Sequence, residues 1–243
     1  MTSIILIGVI ISYGAIQFLE LTAVLARIAG IKTNAIVTGY SIQQSVYMLT
    51  RFFMIALLPL LGLVVDMGTD KDAFEITAHL SLLMATLFGV IPLIFSNKII
   101  SYYCSVINKY QLGGSFIKSF LVPFKNLTSD KRPSFTQIIR NKNSRATLLQ
   151  SNFVYLIYST GIFVSFYMAL IFNEYRASIS QMSGVVNAFG AVLLTFVVEP
   201  RISRSIDTKS NEATEMIFAL FWGRILATAF SGQCLLLILF SLT

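Results

Sequence analysis

Apolar residues in this chain come in long blocks, and the polar residues inside those blocks recur at helical spacing. The blocks lie at about 3–27, 34–65, 76–95, 146–172, 182–198 and 216–242. Each approaches or exceeds the roughly 20 residues that carry a helix across a bilayer core. The pattern predicts an all-α polytopic membrane protein of about six transmembrane helices, forming one bundle over residues 1–243. Between the third and fourth blocks, residues 97–145 mix basic and aromatic positions, as amphipathic helices on a membrane surface do.

The polar positions within the blocks are ordered. Tyr13, Gln17, Glu20 and Arg27 fall at i, i+4, i+7 and i+14 of the first helix, on one face. Gln44, Tyr47 and Arg51 keep the same one-face spacing in the second, and Asn152, Tyr155 and Ser159 fall at i, i+3 and i+7 in the fourth. The fifth helix carries Asn187 among small residues, and the sixth carries Arg224 well inside its apolar run. The third has no charge beyond its ends and reads as scaffold, with His79 as a span-end residue. Pro59 should kink the outer part of the second helix, since it removes a helix hydrogen bond.

Composition agrees with the pattern. Charged residues make up 12% of the chain, against about 25% for a soluble domain. The net charge of +7 is concentrated rather than spread. Residues 97–145 hold nine Lys and Arg against Asp130 alone, nine minus one or +8. Lys and Arg favour the cytoplasmic side, which places this loop inside, with Arg27, Lys32, Arg201, Arg204 and Lys209. Both termini are then expected outside the cytoplasm. The first block lacks a basic stretch before it and is too long for a signal core, so it reads as a retained span. Asn126-Leu127-Thr128 matches a glycosylation sequon without meaning in a cytoplasmic loop.

Several chemistries are disfavoured. Cys104 and Cys234 lack metal-ligand spacing and read as free thiols, so no metal or other cofactor is expected. No aromatic-basic platform for nucleic acid is evident, and no nucleotide-binding loop or catalytic set stands in a suitable place. A charge at membrane depth costs several kcal/mol on insertion scales, so Glu20, Arg51 and Arg224 should face a bundle interior or a wet cavity. Helical rise puts Glu20 and Arg224 about 15 Å deep, with Gln44 and Asn187 near that level and Arg51 about two turns further out. Neutralising Glu20 against one arginine leaves the other positive. Two readings follow: a net-positive polar cavity suited to phosphate oxygens, or a structural Glu–Arg pair with the second arginine snorkelling to an interface.

Three stretches resemble the Amj lipid II flippases of bacteria. They are Glu20-Leu21-Thr22-Ala23 through Arg27-Ile28-Ala29-Gly30-Ile31-Lys32-Thr33; Thr50-Arg51 with Leu58-Pro59-Leu60-Leu61-Gly62 and Val65-Asp66; and Glu174-Tyr175-Arg176 through Ser180-Gln181-Met182-Ser183-Gly184-Val185-Val186-Asn187 and Glu199-Pro200. The likeness implies a multi-pass protein of the bacterial cytoplasmic membrane that flips undecaprenyl-pyrophosphate-linked cell-wall precursor outward. It implies a transporter rather than an enzyme, with a polyprenyl-pyrophosphate glycolipid as partner. The expected binding set is Glu20, Arg27, Gln44, Arg51, Asn152, Asn187 and Arg224, the last on depth alone. Coupling to a proton gradient or the membrane potential is one option for the drive, and a homodimer is one option for the assembly. The chain departs from the family where Glu20-Leu21-Thr22-Ala23-Val24-Leu25 stands for a Glu-Thr-Leu-Ala-Tyr-Ser-like run, and where Ile42-Gln43-Gln44 stands for a Leu-Phe-Asn-like run. Those changes leave open another polyprenyl-linked glycan as cargo, and a non-transporting docking protein remains a third reading.

Overall fold

The structure is a computed structural model that describes residues 2–123, 132–208, 210 and 212–242. Asn126-Leu127-Thr128, Lys125, Asp130, Lys131 and Lys209 therefore lie outside the described residues. Among those described there is no strand, and six helical runs are long and apolar enough to cross a membrane.

Helices α1 (Thr2–Lys32) and α2 (Ile36–Asp66) form a hairpin, followed by α3 (Lys71–Ile94). Three shorter helices come next: α4 (Ser96–Gln111), α5 (Phe116–Ser119) and α6 (Phe135–Arg140). Then α7 (Lys142–Ile171) crosses back. The fifth run joins α8 (Arg176–Leu193) through a π-turn, Leu194–Val198, to α9 (Glu199–Asp207). The sixth joins α10 (Ala213–Leu226) through a second π-turn, Ala227–Ser231, to α11 (Gly232–Ser241).

Local sequence explains the boundaries. Asn34 takes a left-handed conformation with φ of 54°, which turns the chain between α1 and α2. Ser134 and Gln137 form a reciprocal capping box that starts α6. Asn141 starts α7, its Oδ1 accepting from the amides of Asn143 (2.9 Å) and Ser144 (3.4 Å). The fifth run spans 173–207, well beyond the expected 182–198, because a π-turn carries the polar α9 segment on without a break. The second helix runs unbroken through Pro59.

Helix α1 is the centre of the bundle and packs on α2, α3, α4 and α10. The buried apolar residues fall into two clusters. One holds Leu21–Ala29 of α1 with residues of α2, α4, α7, α9 and α10; the other holds Val9, Tyr13 and Ile16 with the opposite halves of α2, α3 and α7 and with α11. A belt of buried polar residues separates them: Gln17 and Glu20, Thr50, Ser159 and Thr160, Arg224 and Thr228. The belt is cross-linked, with Tyr13 Oη donating to the Ser159 carbonyl at 3.1 Å and Thr86 Oγ1 to Thr228 Oγ1 at 2.9 Å.

His79 sits on α3 one turn past Glu75, its Nδ1 2.5 Å from Gln233 Oε1, in a contact that joins α3 to α11. One expectation changes here. The basic 97–145 segment is not simply laid on a surface. α4 buries Ile100, Tyr103, Cys104 and Val106 against the bundle, while Leu112, Ile117 and Leu121 stay exposed. Trp222 packs its ring 5.1 Å from that of Phe135 in α6. Neither Cys104 nor Cys234 forms a disulfide among the described residues, and Cys104 Sγ lies 3.9 Å from the Ala29 carbonyl oxygen.

In lipid the hydrophobic effect does not drive helices together, so close packing and polar contacts carry the association. The α1–α2 crossing shows this. A Cβ at Gly39 would stand 2.7 Å from Gly30 Cα and 2.8 Å from the Ala26 carbonyl oxygen, whereas one at Gly62 of the same helix meets nothing within 4 Å. Gly39→Ala should therefore destabilise the protein by about 1–3 kcal/mol, and Gly62→Ala should not. Thermal unfolding of both variants in detergent checks this; equal behaviour of the two would contradict the close approach.

Candidate functional site

The first-helix stripe reaches the belt from one side. Gln17 Oε1 accepts from Arg224 Nε at 2.5 Å, and the Glu20 carboxylate ion-pairs with Arg224 Nη2. The guanidinium also lies over the Tyr155 ring, 4.5 Å from its centroid, an arrangement that suits a desolvated cation. Arg224 is 1% exposed and Glu20 3%. Arg224 stands on α10 immediately before the second π-turn, a helix irregularity that recurs at functional sites.

Neutralising Glu20 with Arg224 leaves Arg51 as the cation. Arg51 is exposed on α2 and makes no ion pair or hydrogen bond among the described residues. It opens onto a cavity of about 160 Å³ that Glu20, Gln44, Tyr47, Tyr155 and Tyr158 also line, with Gly190 and Leu194 across from them. Although Arg51 sits further along the bundle than Glu20, both reach this one space.

The cavity continues toward the basic end. Gln44, Tyr47, Arg51, Ala191 and Leu194 also border a larger depression of about 520 Å³, which adds Tyr40, Gln43, Glu199 and Ser203. Tyr40 and Ser203 then border a third, of about 260 Å³, that reaches Arg27 and Asp207. Together they form a groove between α2 on one side and α8, the first π-turn and α9 on the other. The reason is in the packing: α2 rests on α1 and α7, and α8 rests on α7, so α7 floors the space between them. At its basic end Arg27 closes the groove, donating to Glu199 Oε2 at 2.7 Å and Ser203 Oγ at 3.1 Å beside the Tyr40 ring.

The seven expected residues are thus only partly gathered. Glu20, Gln44 and Arg51 share the cavity, and Arg27 lies at the far end of the groove. Arg224 sits behind Glu20 and Tyr155 and does not line it. Asn152 turns toward the sixth run, donating to the Gly223 carbonyl at 3.4 Å and accepting from Ser231 Oγ at 3.1 Å. Asn187 is one turn from Gly190 on α8 but is not among the lining residues. The expected binding set omits Tyr40 and Gln43, whose buried Oε1 has no hydrogen-bond partner. Their signal was present: Tyr40, Gln43, Gln44, Tyr47 and Arg51 keep one face of α2.

The family model described as Amj, Alternate to MurJ, matches residues 13–239. The chain belongs to the Amj family. No curated protein and no solved structure matches it. The Amj match starts at Tyr13, where the polar belt begins, and takes in the groove and the Glu20–Arg224 pair.

A buried ion pair deprived of one partner leaves an uncompensated charge. Glu20→Gln should therefore lower stability by about 3–5 kcal/mol. The double variant Glu20→Gln/Arg224→Gln should recover most of that loss. Thermal unfolding of the single and double variants forms the cycle, and additive losses would show that the pair is not coupled.

Proposed function

We propose that this Amj protein flips undecaprenyl-pyrophosphate-linked peptidoglycan precursor (lipid II) from the inner to the outer leaflet of the bacterial cytoplasmic membrane. The observation that carries the reading is Arg51, a cation without an acidic partner among the described residues, inside a groove that indents the side of the bundle. A pyrophosphate offers it bidentate, charge-assisted hydrogen bonds. Gln43, Gln44 and the tyrosines offer donors, acceptors and ring faces to sugar and peptide groups, while a prenyl chain leaves sideways into lipid. The basic end faces the cytoplasm in this reading, and both termini lie outside.

Arg224 is held in reserve. Protonation of Glu20 would release it as a second cation toward the pyrophosphate, which gives a proton gradient a point of entry. Moving one net charge through 100 mV would contribute about 2.3 kcal/mol. A second cargo, another polyprenyl-linked glycan, is favoured by one feature: Gln43 and Gln44, where this chain departs from the family run, both line the groove.

The test is outer-leaflet exposure of lipid II in cells depleted of their usual flippase, with this protein as the sole replacement. Wild type should restore exposure. Arg51→Ala should lower it roughly tenfold or more, the worth of a lost charge-assisted contact, at normal membrane abundance. A fully active Arg51→Ala would refute the arginine site. No exposure with a stably inserted wild type would refute lipid II as cargo and direct the assay to other polyprenyl-linked glycans.

A further inference from the structure

Away from the groove, the basic end of the bundle holds a cavity of about 980 Å³. Its walls come from four segments: the last turn of α1, the start of α4, residues 132–141 and the start of α10. Two arginines line it. Arg132 Nη1 donates to the Leu93 carbonyl at 2.5 Å, at the C-terminal end of α3, so one side of its guanidinium is fixed while Nε and Nη2 make no hydrogen bond among the described residues. Arg140, eight residues on at the end of α6, makes no ion pair or hydrogen bond there.

The neutral polar groups have a matching bias. Gln137 Oε1 accepts from the Ser134 amide at 2.7 Å, so the capping box occupies the acceptor end of that side chain and leaves its NH2 donors. Asn141 likewise uses Oδ1 on the α7 amides. The acid present, Glu215, has a buried Oε1 without a hydrogen-bond partner. Ile28, Ile100 and Phe218 make the cavity's apolar part. An excess of donors and positive charge over acceptors, in a concave space with an apolar side, matches an anionic phosphate joined to an apolar body.

We propose that this cavity is a second anion site, separate from the groove, that binds a phosphate group through Arg132 and Arg140. The phosphate is supplied by an anionic phospholipid headgroup or by soluble phosphate, and the assay below separates these sources. The site does not depend on what the groove carries.

The experiment uses the full-length protein in detergent micelles, with phosphatidylglycerol, phosphatidylcholine and inorganic phosphate as probes, read by native mass spectrometry and by ligand-induced thermal shift. Wild type should retain phosphatidylglycerol saturably and in preference to phosphatidylcholine. Arg132→Gln and Arg140→Gln should each weaken that binding about tenfold. Arg145→Gln is the charge-matched control: Arg145 is exposed at the same end but does not line the cavity, so its replacement should change little. Glu215→Gln should tighten binding, a gain that partial unfolding cannot imitate. Displacement of the lipid by millimolar inorganic phosphate, with a thermal shift from phosphate alone, identifies free phosphate as a ligand; lipid binding insensitive to phosphate identifies the headgroup. Equal losses in Arg145→Gln and Arg140→Gln would reduce the effect to general surface charge and overturn the site. No anion binding by wild type would overturn it as well.

Discussion

The Glu20–Arg224 pair is the contact on which the remaining arrangement depends. It joins the central helix α1 to α10 at the level where the two apolar clusters give way to a polar belt. Neither charge could stay there alone: a buried ion without its partner costs several kcal/mol, and an arginine cannot shed its proton to escape. The partners around the pair follow from that requirement. Gln17, one turn before Glu20, accepts a hydrogen bond from Arg224 Nε, and Tyr155 brings a ring face from α7. Three helices are held in register by the need to satisfy one guanidinium.

Settling that charge determines the character of the groove. With Glu20 committed to Arg224 and Glu199 committed to Arg27, the two acids that share a depression with Arg51 are engaged, and Arg51 has no acidic partner among the described residues. The π-turns stand beside both sites, one in the groove wall at Leu194–Val198 and one just after Arg224. An extra residue per turn loosens the helix ladder locally, which lets those segments change shape with less disruption than a regular helix would suffer.

Much of this was legible in the sequence, and the limits have a physical cause. Helical spacing alone gathered Gln17 and Glu20 on one face, and Gln44, Tyr47 and Arg51 on another, because a face of a single helix is a local property. The cost of charge in lipid marked Glu20, Arg51 and Arg224 as interior or cavity residues. What could not be read was the rotation of each helix about its axis relative to its neighbours. Counting residues from a surface gives depth without direction, so Arg224 was placed near the cavity by level although it lies behind Tyr155, and Asn152 was placed there by its polar stripe although it faces α10. The same ambiguity left open which arginine Glu20 would choose. The extent of the fifth helical run was hidden for another reason: hydropathy registers polar residues as span ends, and cannot see that a π-turn carries α8 onward into α9.

A bundle in lipid has no hydrophobic drive between its helices, so the polar belt and the close glycine crossings must hold it together. Glu20 therefore has two duties that compete. It stabilises the fold by neutralising Arg224, and it lines the cavity that a ligand would enter. Any event that frees Arg224, protonation of Glu20 included, must bring another anion to the same depth, because the buried guanidinium cannot be left uncompensated. A neutral sugar supplies nothing of that kind. A phosphate does, and its arrival near Arg51 would also repel Glu20 and favour its protonation. The folding requirement and the proposed cargo are thus compatible: a ligand that displaces Glu20 from Arg224 without loosening the bundle has to bring negative charge with it.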